Sequence, residues 1–145
     1  MRSSGPTPSL VPELDVTDLD VSRAFYVGLL GFRVVYERPA ERFVYLACDR
    51  AEIMLEEAAG PGRRFGTAAL ARPFGRGVNF QLEVADVDAI YERIIDAGHT
   101  PVVPLEEQWY GIDAGEAGNR QFVVADPDGY LWRPLRDLGV RPRRS

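Results

Sequence analysis

The strongest constraint on this chain is that it repeats itself. The stretch ELDVTDLDVSRAFYVGLLGFRVV (13–35) aligns with QLEVADVDAIYERIIDAGHTPVV (81–103) at an offset of 68. Leu14 meets Leu82, Val16 meets Val84, Asp18 meets Asp86 and Asp20 meets Asp88; after a slip of one residue Gly31 meets Gly98. The whole chain has 145 residues, the size of one ordinary domain. A duplication inside that length means two similar modules, each too small to be an independent fold of another kind.

Both copies spell the same local structure. Leu14 and Val16, like Leu82 and Val84, alternate with polar neighbours, the period-2 pattern of a half-buried strand. Asp18 or Asp20, and Asp86 or Asp88, can accept backbone N–H bonds at a helix start. A period of 3.6 then places Val21, Ala24, Phe25 and Leu29 on one helical face, and Val87, Ile90, Tyr91 and Ile94 on another. Gly31 and Gly98 supply the left-handed residue that ends a helix. Each helix is followed by a strand and a hairpin. RFVYLACDRAEIMLEEA (42–58) turns near Asp49-Arg50, and RQFVVADPDGYLWRP (120–134) turns at Pro127–Gly129, where Pro fixes φ and Gly permits φ > 0.

The expected architecture is therefore α+β, two tandem βαβββ modules with one sheet face covered by a helix and the other open. Residues 1–9 read as a flexible polar arm and 10–135 as one domain. Its modules are 10–58 and 78–135, joined by a Gly-, Ala- and Arg-rich linker, 59–77, in which ALAR (69–72) has the composition of a helical turn. Residues 136–145 read as a frayed tail.

Composition excludes several functions. A net charge of −5 argues against a nucleic-acid-binding surface, and no stretch approaches the ~20 apolar residues of a membrane span. The single cysteine, Cys48, excludes an internal disulfide and fits a reducing, cytoplasmic setting; its apolar surroundings predict a buried, inert thiol. One histidine, His99, cannot build a multi-histidine site and sits where a helix ends. The serines (Ser3, Ser4, Ser9, Ser22, Ser145) have no histidine in pattern, and GPGRRFG lacks the strand–helix context of a phosphate loop. No catalytic residue is assigned.

Candidate binding residues follow from alternation. If Leu14/Val16 and Leu82/Val84 face their helices, then Val11, Glu13, Asp15, Asn79, Gln81 and Glu83 face the open side. Carboxylates on an enclosed face are costly unless paired or wet, which makes Glu13 and Gln81 the main candidates and leaves Asp15 and Glu83, nearer the strand ends, to solvent or to arginine. Trp109 and Tyr110 lie in EEQWYGIDAGEAGNRQF (106–122), read as a polar, glycine-bearing loop. There they can stack on a flat ligand, a planar cation best given the neighbouring carboxylates, or pack over the loop or a partner. Arg133, at the end of the apolar strand after DPDG, pairs with Glu13 or Glu56, grips an anionic ligand group, or faces solvent.

VPELDVTDLDVSRAFYVGLLGFRVV and FVVADPDGYLWRP resemble the opening and closing segments of the vicinal oxygen chelate superfamily, which includes glyoxalases, extradiol dioxygenases and bleomycin resistance proteins. The resemblance spans about residues 10–135 and implies paired βαβββ modules forming a cupped mixed sheet, usually in a homodimer. Metal-using relatives place ligands at positions that here are Val11, Asn79, Arg133 and a residue in MLEE, of which Glu56 is the plausible donor. Valine has no donor atom and arginine is a permanent cation, so no metal and no cofactor is expected. The loop tryptophan resembles the bleomycin resistance branch, whose ligand is a large cationic glycopeptide with flat heteroaromatic rings. The resulting expectation is a metal-free protein that sequesters a cationic aromatic small molecule or antibiotic in a dimer cleft. Its ligand residues would be Glu13, Gln81, Trp109, Tyr110 and Arg133, with Glu56 and Asn79 as secondary candidates. The competing expectations are a diverged lyase or isomerase with Glu13 as base, or a dioxygenase-family enzyme, and a module with no small-molecule role.

Overall fold

The structure, a computed structural model, describes residues 8–66 and 68–143. Most of the expected N-terminal arm and the last two residues lie outside that range, as do Ser3, Ser4 and Ser145. The fold divides into two compact units whose boundary in sequence falls between Phe74 and Gly75.

In the first unit, β1 (Glu13–Val16) leads into α1 (Leu19–Arg23), which continues as a π-helix (Ala24–Leu30); β2 (Arg33–Arg38), β3 (Phe43–Cys48) and β4 (Ala51–Glu57) follow. In the second, β5 (Asn79–Glu83) is followed by α2 (Val87–Asp96), β6 (Val103–Ile112), β7 (Gly115–Ala125) and β8 (Leu131–Arg141). The sheet orders are β1-β4-β3-β2 and β5-β8-β7-β6. The β1–β4 and β5–β8 pairs are parallel and the rest antiparallel, so the repeated βαβββ pattern is a repeat of topology as well.

The repeat carries its local chemistry with it. Asp18 accepts from the backbone N–H groups of Asp20 (3.0 Å) and Val21 (3.3 Å), and Asp86 accepts from Ala89 (3.1 Å), so both are N-caps. Gly31 (φ 91°) and Gly98 (φ 88°) end the helices in the left-handed region. The His99 backbone N–H donates to Ile94 O (3.1 Å), its expected helix-end role. One acidic residue in each helix's first turn meets an arginine: Asp20 lies 3.3 Å from Arg42, and Asp88 2.7 Å from Arg120. The Arg120 guanidinium holds the Asp88 carboxyl below its ordinary range.

Leu14, Val16, Leu82 and Val84 are buried as the alternation required. In α2, Val87, Ile90 and Ile94 are buried, and Tyr91 meets Phe122 of β7 edge-on at 5.0 Å. The first helix differs from its expected phase: Val21 is 51 % exposed and Ala24 is exposed, while Leu19, Ser22, Phe25, Tyr26 and Leu30 are buried. The inward stripe runs through positions 19, 22, 26 and 30, a face rotated from the expected one, and its second half lies in the π-helical stretch.

Four further expectations change. Residues 106–112 are not a loop but part of β6, paired with β7. The tail begins later than 136, because β8 runs to Arg141, which pairs with Glu116. ALAR is not helical; Pro73 disfavours helical geometry at Arg72. Cys48 is half-buried rather than a core residue, although burial still pushes its thiol up. Among the described residues no helix is long and apolar enough to cross a membrane.

Candidate functional site

The open faces of the two sheets differ in chemistry. In the first unit that face is largely apolar: Val35, Phe43, Tyr45 and Ala47 form a buried cluster against which Val11 and Met54 pack. At its β1 edge lies an acidic recess of about 140 Å³ lined by Glu13, Asp15, Glu56, Arg63, Arg64, Phe65 and Gly66. Alternation sends Glu13 and Asp15 to this face, and the parallel register sets Asp15 directly beside Glu56. Like charges so placed repel. Two features offset this. Arg64 Nε reaches Asp15 at 2.9 Å. Glu56, only 7 % exposed, has its carboxyl pushed up, first by burial and then by its hydrogen bond with Glu13. A side chain at Gly62 would collide with Glu56 Oε1, so the linker backbone closes tightly over this carboxyl.

This arrangement has a signed pH consequence. The native carboxyl of Glu56 keeps its proton above the ordinary value of 4.5. Below that value both folded and unfolded chains are protonated and the contribution is fully present. As pH rises through the folded value, the unfolded chain has already ionised and the native state loses that stability. Glu56→Gln removes the titration, so the variant's stability relative to the parent is expected to rise between pH 4 and pH 7, read by urea unfolding. A constant difference would contradict the protonated pair.

The open face of the second unit is polar. Arg133 Nη1 donates to Gln121 Oε1 (2.9 Å) and Nη2 to Gln81 Oε1 (2.8 Å). Gln121 Nε2 donates to the Tyr110 hydroxyl (2.7 Å) and lies 3.5 Å from Glu106 Oε2. This row crosses all four strands, because Gln81 stands in register with Arg133 and Glu106 with Gln121. The expected pairing of Arg133 with Glu13 or Glu56 is not what forms; its partners are two neutral amides. Gln121 escaped notice in the sequence, although alternation from Phe122, which faces α2, points it to this side.

The structure brings together Gln81, Tyr110 and Arg133. It places Glu13 with Glu56 in the first unit and leaves Asn79 exposed beside Leu131. Trp109 and Tyr110 are neighbours on one strand and point to opposite faces. The Trp109 ring lies over Gly118, where any side chain would collide with it, and the Arg141 guanidinium sits 3.8 Å from the ring centroid. The expected platform for a ligand cation is thus occupied by the chain's own cation.

The repeat also settles the register in MLEE. Glu13 pairs with Met54 where Gln81 pairs with Arg133, so Met54 is the counterpart of Arg133 and Glu56 lies two residues on. Val11, Met54, Asn79 and Arg133 offer neither a carboxylate nor an imidazole, and Arg133 is held as a cation. These residues do not fit the metal of metal-using relatives. Among the described residues no three His, Cys, Asp or Glu side chains are grouped to hold an ion.

Tandem βαβββ units, each with a helix on one sheet face and the other face open, define the fold class. The chain belongs to the Glyoxalase/Bleomycin resistance protein/Dioxygenase superfamily, whose family model matches residues 12–133. It is 31 % identical over 128 residues to bleomycin resistance proteins of Geobacillus stearothermophilus and Staphylococcus aureus, covering 83 % of this chain and 90 % of theirs. The crystal structure of TioX from Micromonospora sp. ML1 superposes with a TM-score of 0.69 at 27 % identity, covering 89 % of this chain and 98 % of that one.

Proposed function

We propose that this protein is a metal-independent binding protein that sequesters a cationic, aromatic small molecule. One observation carries the reading: a recess lined by Glu13, Asp15, Glu56 and Phe65, in which burial and the neighbouring Glu13 push the Glu56 carboxyl up. A planar cation there would offset the crowded carboxylates and take the place of the Arg63 guanidinium, 4.9 Å from the centre of the Phe65 ring. The likeness to proteins named for bleomycin resistance supports binding as the activity. Gln81 and Tyr110 line the polar row of the second sheet's open face and are candidate contacts for a ligand held there, whereas Trp109 serves the β6–β7 hairpin. The working form is a homodimer, a reading that rests on the family and is tested by sedimentation. The half-buried single cysteine suits a reducing compartment such as the cytoplasm.

Calorimetry with bleomycin and simpler planar cations tests the reading. Saturable binding is expected. Glu13→Gln and Glu56→Gln should each weaken binding by about tenfold, the loss of a charge-assisted contact. No heat up to about 100 µM ligand, or undiminished binding by both variants, sinks it.

The hydrogen bond between Glu13 and the raised Glu56 carboxyl favours a second reading, a lyase or isomerase with Glu13 as general base. It requires solvent deuterium to enter a bound carbonyl compound, and Glu13→Gln to abolish that exchange. Bound ligand that returns chemically unchanged supports sequestration instead.

A further inference from the structure

Four arginines among the described residues are half-buried: Arg42, Arg120, Arg133 and Arg141. Three of them meet carboxylates, Arg42 with Glu57 at 2.8 Å, Arg120 with Asp88 at 2.7 Å and Arg141 with Glu116 at 3.0 Å. Arg133 meets none among the described residues; Gln81 and Gln121 accept one hydrogen bond each. An amide oxygen orients a guanidinium but leaves its charge whole. A cation taken partly out of water without a counter-charge is costly.

We propose that Arg133 anchors an oxyanion, a carboxylate or a phosphate, carried by a small-molecule ligand. The guanidinium has five N–H donors; two are spent on the glutamines, and the remaining ones suit a two-point grip on planar or tetrahedral oxygens. Its orientation is set beforehand. Gln121 is 3 % exposed and its amide nitrogen is committed to the Tyr110 hydroxyl, so its only acceptor oxygen must face Arg133. Arg133 also stands on β8, an inner strand with β5 on one side and β7 on the other. The fork is therefore held by the sheet, and little freedom is lost when an anion docks. This site is separate from the acidic recess that carries the proposed function, and each can fail without the other.

The test is a titration of the full chain with benzoate and with inorganic phosphate, followed through the ¹⁵N-labelled arginine side chains. Benzamide, neutral and of the same shape as benzoate, is the control. The cross-peak lost in Arg133→Gln identifies Arg133. Benzoate or phosphate should move that peak saturably and benzamide should not. Arg133→Lys, which keeps the charge and loses the fork, should weaken benzoate by about tenfold. Gln81→Leu, an exposed change that loosens the guanidinium, should weaken it less and keeps the test informative if Arg133→Gln does not fold. A saturable response to benzoate alone identifies a carboxylate site, and one to phosphate alone a phosphate site. An equal response to benzamide, or none to either anion, overturns the proposal.

Discussion

Asp126→Ala is expected to destabilise the protein by about 3 kcal/mol and to lower its melting temperature by about 10 °C. The Asp126 carboxylate accepts from three backbone N–H groups, those of Asp128, Gly129 and Tyr130, each at 2.9 Å. Asp126 is 4 % exposed, so water does not readily replace the lost acceptor. The Gly129 N–H keeps a second acceptor, the Asp126 backbone carbonyl at 3.0 Å, and each of the other two donors left without a partner costs about 1–3 kcal/mol. Asp126→Asn keeps one carbonyl oxygen and should cost clearly less. The turn also sets the register of β8 on β7, with Ala125 opposite Leu131 and Val124 opposite Trp132, and thereby places Arg133. Calorimetric unfolding of the two variants is the measurement; a loss under about 1 kcal/mol for alanine would mean that the turn re-forms around water.

Tyr26→Ala should cost about 3–5 kcal/mol, whereas Val21→Ala, one turn earlier, should stay within about 0.5 kcal/mol. Tyr26 is fully buried in the π-helical part of α1 and meets Phe25 and Phe32 edge-on at 5.4 and 5.8 Å. Truncation leaves a cavity between rings that the neighbouring backbone cannot close, because the Tyr26 carbonyl also accepts from Phe32 N (2.9 Å) at the helix end. Val21 is half in water and has little to lose. Denaturant unfolding of the pair discriminates between the two helical phases: an inward Val21 and outward Tyr26 would reverse the order of the costs.

That contrast marks where local reading stopped. Helix starts, helix stops and hairpin turns were legible because each depends on a few adjacent residues: Asp18 and Asp86 as caps, Gly31 and Gly98 at positive φ, DPDG as a turn. The phase of α1 was not, since a π-helical turn leaves no mark in a hydrophobic pattern read at 3.6 residues. Residues 106–112 looked like a loop because β6 is an edge strand, polar on both faces, whose pairing with β7 is visible only across the ladder.

The candidate site divides in the same way. Alternation along single strands puts Glu13 and Gln81 on open faces, and neither the valine at position 11 nor the permanently charged Arg133 can ligate a metal. Partner choice lay beyond it. Whether Arg133 met a glutamate or two glutamines depended on which strands flank β8, and whether Trp109 was free depended on Gly118 and Arg141 across a hairpin. The sequence by itself determined the duplicated βαβββ plan and the types of side chain on each face, because caps, turns and two-residue alternation are short-range physics. The tertiary structure alone decided which charges meet, because hydrogen bonds and ion pairs form across strands 12 to 52 residues apart, and neighbours in space are not neighbours in sequence.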